Sequence, residues 1–207
     1  MSLSKTHKST TFSKVENNKN EKLNRLLDTA FLLFTDKGIK HTSIQDIVDQ
    51  AGVAKGTFYL YFKDKYEIQD HLLARTSYRL FDKAIAASKK ENIERLDDTI
   101  IFIINYIIDF LIENPIIINF IQKNLSLGLY SEKISVLMDD KNLRLHDLFL
   151  SEVKKRKINL PHPEITLFMI IELVGATVFS SIVKNEPVPI QEYKPILYDT
   201  IKLLIHE

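Results

Sequence analysis

The stretch from Thr42 to Phe62 decides the fold of this chain, and it reads TSIQDIVDQAGVAKGTFYLYF. Its pattern predicts one short helix from Ile44 to about Ala51 and a second from about Lys55 to Phe62. Gly52 lies between them and supplies a tight turn, because glycine takes a positive φ without steric cost. Two short helices joined in this way form a helix-turn-helix, whose second helix is free to enter the major groove of DNA.

The residues around these helices support the same interpretation. Thr42, Ser43 and Gln45 are spaced as a capping box, in which a hydroxyl and a side-chain amide satisfy backbone N–H groups at a helix start. The apolar residues of the segment are expected to form its buried side: Ile47, Val48, Val53, Phe58 and Phe62. The remaining positions of the second helix face outward as a small polar and aromatic set suited to DNA: Lys55, Gly56, Thr57, Tyr59 and Tyr61.

Helical patterns continue on both sides of this segment, so the predicted fold class is all-α, with about nine helices. Leucines, alanines and phenylalanines recur at helical spacing before Gly38, and Asp64 opens a fourth helix. Beyond Glu91 the chain is rich in isoleucine, and prolines separate its helices. We expect a flexible basic tail at 1–20, a helix-turn-helix domain at 21–66, and a second helical domain at 67–207.

Charge and composition narrow the function classes. Met1 to Lys90 holds 16 Lys and Arg against 10 Asp and Glu, giving +6, whereas Glu91 to Glu207 holds 12 against 17, giving −5. A basic N-terminal part favours contact with phosphates. The chain has no cysteine and no phosphate loop, nucleophile elbow or His-Glu-x-x-His motif, so catalysis and a metal or other cofactor are not expected. No signal sequence is evident, which fits a cytoplasmic, nucleoid-associated protein.

The segments TSIQDI and AGVAKGTFYLYF, followed by Lys65, resemble the signature of the TetR family of bacterial transcriptional regulators over roughly residues 22–72. The resemblance implies that Lys55 and Gly56 contact phosphate or a base edge, with Thr57 beside them. It also implies that Tyr59 and Tyr61 lie against the DNA backbone and thymine methyls, although the family often has histidine where Tyr61 stands. The further contacts that it implies are to phosphate, from Thr42, Ser43 and Lys65.

The family resemblance also implies that residues 67–207 form a ligand-binding and dimerisation domain. The protein would bind a palindromic double-stranded operator as a homodimer and repress transcription until a small, largely apolar effector binds. The helices at about 165–183 and 190–205 would pair with those of a second copy. Candidate pocket residues are Phe102, Tyr106, Phe120, His146, Phe149, Phe168 and Glu172. Glu172 stands alone in a long apolar run, and either a ligand or the dimer interface would explain it. A protein partner in place of the small effector stays open, whereas a membrane protein or an enzyme fits the sequence poorly.

Overall fold

The computed structural model describes residues 6–121 and 145–205 of the chain, which contain nine helices and no strand. This confirms the predicted all-α class. The helices are α1 (Thr6–Asp36), α2 (Ile44–Ala51), α3 (Lys55–Tyr59), α4 (Lys65–Ser88), α5 (Leu96–Glu113), α6 (Pro115–Ile121), α7 (Leu145–Arg156), α8 (Pro163–Lys184) and α9 (Ile190–Ile205).

The chain divides into two compact units, residues 1–72 and 73–207. The boundary lies inside α4, a little beyond the 66/67 division expected from the sequence. No glycine or proline interrupts the chain between Lys65 and Ser88, so one continuous helix contributes to both units.

The first unit consists of α1, α2, α3 and the start of α4. Its core joins Leu26 and Ala30 of α1 to Ile47 of α2, with Phe58 and Phe62 fully buried among them. Helix α1 already begins at Thr6, where the sequence predicted a flexible tail as far as residue 20. The first twenty residues contain no glycine or proline, so nothing in them stops the helix from extending toward the N-terminus.

The second unit is built around isoleucine. Ile104 and Ile108 of α5 lie in one buried cluster with residues of α7, α8 and α9, and Ile201 is fully buried there. A smaller cluster joins the end of α4 to α5 and α6. The predicted break at Asn114-Pro115 is confirmed, because α5 ends at Glu113 and Pro115 opens α6. The helix predicted from Glu132 to Lys157 is described only from Leu145 onward, and its earlier part lies outside the described residues.

In the described parts of the chain, α8 is long and apolar enough to cross a membrane, with a mean hydropathy of 2.0. Helices α5 and α6 pass the same test as a pair, but they are bent by 110° at Asn114. Only 44% of the apolar window of α8 is buried, so this helix also presents a large apolar surface outside the core of the second unit.

Candidate functional site

The turn between α2 and α3 is fixed by Gly52 and by an arginine from α1. Gly52 caps α2 with φ at 63°, in the left-handed region, and its N–H donates to carbonyls of the last turn of α2. The guanidinium of Arg25 donates to the carbonyl oxygens of Ala51 and Gly52, the latter at 3.1 Å. Arg25 could not be predicted from the sequence, because its partner Ala51 is 26 residues away and no local pattern connects the two.

The start of α2 carries a capping box one residue later than predicted. Ser43 is the N-cap: its Oγ accepts the Asp46 N–H at 3.0 Å, and the Asp46 carboxylate accepts the Ser43 N–H at 2.8 Å. Lys37 donates to the same carboxylate at 3.0 Å. The backbone hydrogen bond from Ser43 and that from Lys37 lower the pKa of Asp46 to about 2. Gln45 takes no part in the box and donates to Asp49 instead.

Two residues predicted to contact phosphate, Thr42 and Lys65, have hydrogen-bond partners within the chain. Thr42 is 1% exposed, and its hydroxyl donates to the Gly38 carbonyl at 2.9 Å, so it has no surface to offer DNA. The Lys65 ammonium donates to the carbonyls of Ile39, Lys40 and Thr42 at 2.8, 3.3 and 3.0 Å. Since an ammonium has three N–H donors, Lys65 is fully used in holding the loop before α2. Ser43 remains exposed, and its hydroxyl proton is still available as a donor.

The outward face of α3 is formed by two pairs of residues with i, i+4 spacing. Lys55 and Tyr59 form one pair and Gly56 and Leu60 the other, and all four are exposed. Leu60 is 80% exposed, which is unusual for a leucine beside a folded core. Leu60 was not among the predicted outward residues, although its i, i+4 spacing from Gly56 places it on the same side of the helix. Thr57 is half-buried between this face and the core.

Tyr61, also predicted to lie against DNA, has a hydrogen-bond partner in α1. Its hydroxyl donates to the Lys19 carbonyl of α1 at 2.9 Å, and partial burial raises its pKa above the usual range. Helix α3 ends at Tyr59, so Tyr61 lies in the following turn, and its hydroxyl is directed at α1.

Gly56 has no structural reason within this chain to be glycine. A Cβ atom added there would meet nothing within 4 Å, and its φ is not in the left-handed region. Gly52 is different, because a Cβ at that position would lie 2.6 Å from the Arg25 guanidinium and its φ is positive. The open space at Gly56 is therefore a feature of the exposed surface, where a bare backbone lets another molecule approach closely.

The second unit contains a cavity of about 280 Å³, lined by residues of α4, α5, α7 and α8 together with the segment between α4 and α5. Phe149 is the one predicted pocket residue in its lining. The other six lie outside it: Phe102, Tyr106, Phe120, His146, Phe168 and Glu172. A ligand contact by any of these six residues stays a prediction.

Helical phase explains why these predictions missed the cavity. Along α5 the lining positions form one stripe: Leu96, Thr99, Ile100, Ile103, Ile104 and Ile107. Phe102 and Tyr106 lie on a neighbouring stripe of the same helix, where Tyr106 packs against the second core cluster. On α8, Phe168 is 46% exposed and Glu172 half-buried, whereas the stripe through Ile170 and Val174 faces the cavity. The His146 side chain is hydrogen-bonded to the neighbouring Asp147 carboxylate near the start of α7. Phe120 is half-buried in α6.

Helices α8 and α9 carry an exposed apolar surface. On α8, Ile165, Phe168, Met169 and Val183 are each more than two-fifths exposed. Ile165 and Val183 are eighteen residues apart, which is about five full turns, so they lie on the same side of the helix. On α9, Ile196 and Leu203 are 60% and 65% exposed. A stripe of this kind, sustained along two helices, is typical of a protein interface.

Comparison with known proteins gives a family for this chain. Residues 26–72 match the family model described as "Bacterial regulatory proteins, tetR family". An "Uncharacterized HTH-type transcriptional regulator" of Haemophilus influenzae is 31% identical over 144 residues, which cover 67% of this chain and 71% of the relative. YerO of Bacillus subtilis, also an uncharacterized HTH-type transcriptional regulator, is 39% identical over 75 residues, but the match covers only 24% of its length and 36% of this chain.

Other curated relatives match over equally short segments. The HTH-type transcriptional repressor KstR2 of Mycobacterium tuberculosis is 37% identical over 54 residues, 26% of this chain and 27% of its own length. The chain thus spans about a quarter of the length of several curated relatives that it matches.

Solved structures share the fold along nearly the whole chain. A TetR transcriptional regulator from Rhodococcus sp. RHA1 superposes with a TM-score of 0.62 at 19% identity, covering 91% of this chain and 97% of that one. The fatty acid degradation regulator FadR of Bacillus halodurans gives a TM-score of 0.55 at 19% identity, covering 87% and 94%. With the helix-turn-helix, the matched signature and the relative from Haemophilus influenzae, these findings establish that the chain belongs to the TetR family of bacterial regulatory proteins.

Proposed function

We propose that this chain is a dimeric DNA-binding transcriptional repressor that a small, largely apolar effector releases from a palindromic operator. The observation that carries the proposal is the exposed α3 face, in which Lys55 and the bare backbone at Gly56 stand beside Tyr59 and Leu60. A lysine supplies charge for phosphate, and a glycine lets the phosphate backbone come close. The apolar surfaces of Tyr59 and Leu60 suit thymine methyl groups.

The charge distribution supports contact with DNA through the N-terminal part. The first ninety residues carry a net charge of +6 and the remainder −5. A basic surface raises affinity for phosphate in a salt-dependent manner, whereas an acidic body is repelled from it and stays outside the groove.

The exposed stripes of α8 and α9 support a homodimer. Burying these apolar side chains against a second copy removes them from water, and each Ile or Leu so buried stabilises the complex by about 1–3 kcal/mol. A symmetric dimer presents two recognition helices, which reach successive turns of one DNA face when they lie about 34–36 Å apart. That geometry requires an operator with matching two-fold symmetry.

The cavity of about 280 Å³ supports control by a small ligand, and the repressor names of relatives such as KstR2 support repression as the mode. Ser88 and Lys89 at the end of α4 line this cavity, and α4 begins at Lys65 directly after the DNA-reading segment. A ligand releases DNA only if it binds one conformation of the protein more tightly than the other.

Fluorescence anisotropy on the duplex upstream of the protein's own gene tests the DNA-binding part of this proposal. Lys55→Ala should weaken binding about ten-fold or more and reduce the slope of log affinity against log salt by about one, as expected for a lost phosphate contact. Lys154→Ala, an exposed lysine of α7, is the charge-matched control and should bind like the wild type. Equal affinity of the two variants would show that α3 is not the DNA-reading surface.

A further inference from the structure

The cavity of the second unit is apolar over most of its lining. Helix α5 contributes Ile103, Ile104 and Ile107, and α8 contributes Ile170, Ile171 and Val174. These side chains carry no hydrogen-bonding group, so the part of a ligand that they surround must be apolar. The volume of about 280 Å³ is at the small end of ligand pockets.

The polar residues of the lining gather at one end. Ser88 is the last residue of α4 and Lys89 follows it, Thr99 lies in the first turn of α5, and Lys155 and Arg156 lie in the last turn of α7. The end of α7 lies close to the start of α5, because the Arg156 guanidinium donates to the Glu94 carbonyl, and the short segment 89–95 joins the end of α4 to the start of α5. From Thr99 to Ile107 the lining of α5 extends for about 12 Å at the helical rise per residue. The cavity therefore has a polar mouth and an apolar interior along one axis.

The charges at the mouth do not balance. Lys89, Lys155 and Arg156 contribute three positive charges, and Glu91 and Glu152 contribute two negative ones. Glu152 is already shared, since it accepts from Arg156 at 3.0 Å and from Lys155 at 3.3 Å. The hydrogen bond from Arg156 lowers the pKa of Glu152, so this carboxylate stays ionised and committed to its two cations. A cationic head group would have to compete for it, whereas a monoanionic head group would neutralise the remaining charge.

Because the cavity has a basic mouth and an apolar interior, we infer that it binds a medium-chain carboxylate, with its alkyl chain among the isoleucines and its carboxylate near Lys89 and Lys155. The inference rests on the proposed effector-controlled function and names the chemical class of the effector. Basic residues also suit the last turn of α7 because of the helix dipole. Lys155 and Arg156 differ from Lys154 in the same turn, because they line the cavity and Lys154 does not.

Isothermal titration calorimetry on the full-length protein, without DNA, tests the head group directly. Decanoate, decanol and decylamine all have a ten-carbon skeleton and differ in the head group, which is anionic, neutral and cationic respectively. We expect decanoate to bind about ten-fold or more tightly than decanol, which is about 1.4 kcal/mol, and decylamine to bind most weakly. Tighter binding of decanol or decylamine, or no binding of any of the three, would overturn the inference. This comparison uses the wild-type protein and so does not depend on how any variant folds.

Matched lysine pairs locate the head group. The double variant Lys89→Ala, Lys155→Ala should bind decanoate no more tightly than decanol, whereas its control Lys90→Ala, Lys154→Ala changes exposed neighbours that do not line the cavity and should keep the preference. Ile103→Trp, which fills the cavity, should abolish binding of both compounds while circular dichroism shows an unchanged helix content. A preference for decanoate that survives in the first double variant would place the carboxylate elsewhere and refute the proposed mouth.

DNA binding, measured by anisotropy on the same preparations, separates this inference from the proposed function. A protein that binds its operator but none of the three amphiphiles retains the DNA-binding function and contradicts the ligand class. A protein that binds decanoate yet shows no operator binding contradicts the proposed function and leaves the ligand class standing.

Discussion

Replacing Gly56 with alanine should stabilise the protein slightly and yet weaken its binding to DNA. The added Cβ would meet nothing within 4 Å, and the residue has helical geometry in α3 without a positive φ. Alanine is favoured over glycine inside a helix by about 0.5–1 kcal/mol. For a chain of this size that gain corresponds to a rise in Tm of about 1–4 °C.

The loss of DNA affinity follows from the same open space. If the DNA backbone approaches Gly56 closely, a methyl group at that position pushes the phosphate away from the protein and lengthens the contacts made by Lys55. We expect affinity to fall about ten-fold, equivalent to about 1.4 kcal/mol, and to fall further for Gly56→Leu. Anisotropy on the upstream duplex measures the affinity, and thermal unfolding followed by circular dichroism measures the stability.

Gly52→Ala is the matched control, four residues earlier in the chain. Its positive φ and the Arg25 guanidinium 2.6 Å from the added Cβ predict a loss of stability of about 1–3 kcal/mol. Both variants should bind DNA more weakly, but only Gly52→Ala should do so through the fold. Wild-type affinity in Gly56→Ala would refute a close approach of DNA at this position. A lower Tm in Gly56→Ala would instead refute the open space on which the reasoning depends.

Three further outcomes are expected from the other features of the fold. Lys65→Met removes three hydrogen bonds to carbonyls before α2 and should lower the free energy of unfolding in urea by about 1–3 kcal/mol, whereas Lys63→Met, at an exposed neighbour, should change it little. Because the pKa of Asp46 falls from 3.8 to about 2 on folding, its contribution to the free energy of unfolding is present above pH 3.8 and is lost as the pH falls toward 2. Between pH 5 and pH 2, Tm should therefore drop less for Asp46→Asn than for the wild type. Parallel curves of Tm against pH for the two proteins would contradict this. Leu203→Glu, at a 65% exposed apolar position of α9, should shift the mass measured by light scattering from dimer to monomer without loss of helix content, and an unchanged mass would argue against the α8–α9 interface.

Much of the structure of the first unit could be predicted from the sequence, because it depends on local sequence patterns. The helix-turn-helix, the turn glycine and the burial of Phe58 and Phe62 all depend on residues within a few positions of one another. The N-cap of α4 was equally local, since Asp64 accepts the N–H groups of Tyr66 and Glu67. Errors at this level were small, such as the shift of the capping box from Thr42 to Ser43. Both residues carry a hydroxyl, but that of the buried Thr42 donates to the Gly38 carbonyl, whereas that of the exposed Ser43 caps the helix.

The sequence by itself determined the all-α class, the helix-turn-helix and the exposure of Lys55, Gly56 and Tyr59, because these follow from short-range spacing. Only the tertiary structure decided that Lys65 holds a loop 23 to 26 residues away, that Arg25 fixes the α2–α3 turn, and that six of seven expected pocket residues lie outside the cavity. In α5 and α8 apolar residues occupy nearly every face, so helical periodicity does not distinguish core, cavity and exposed stripe. That assignment depends on which neighbours each face meets, which is a property of packing between segments far apart in the chain.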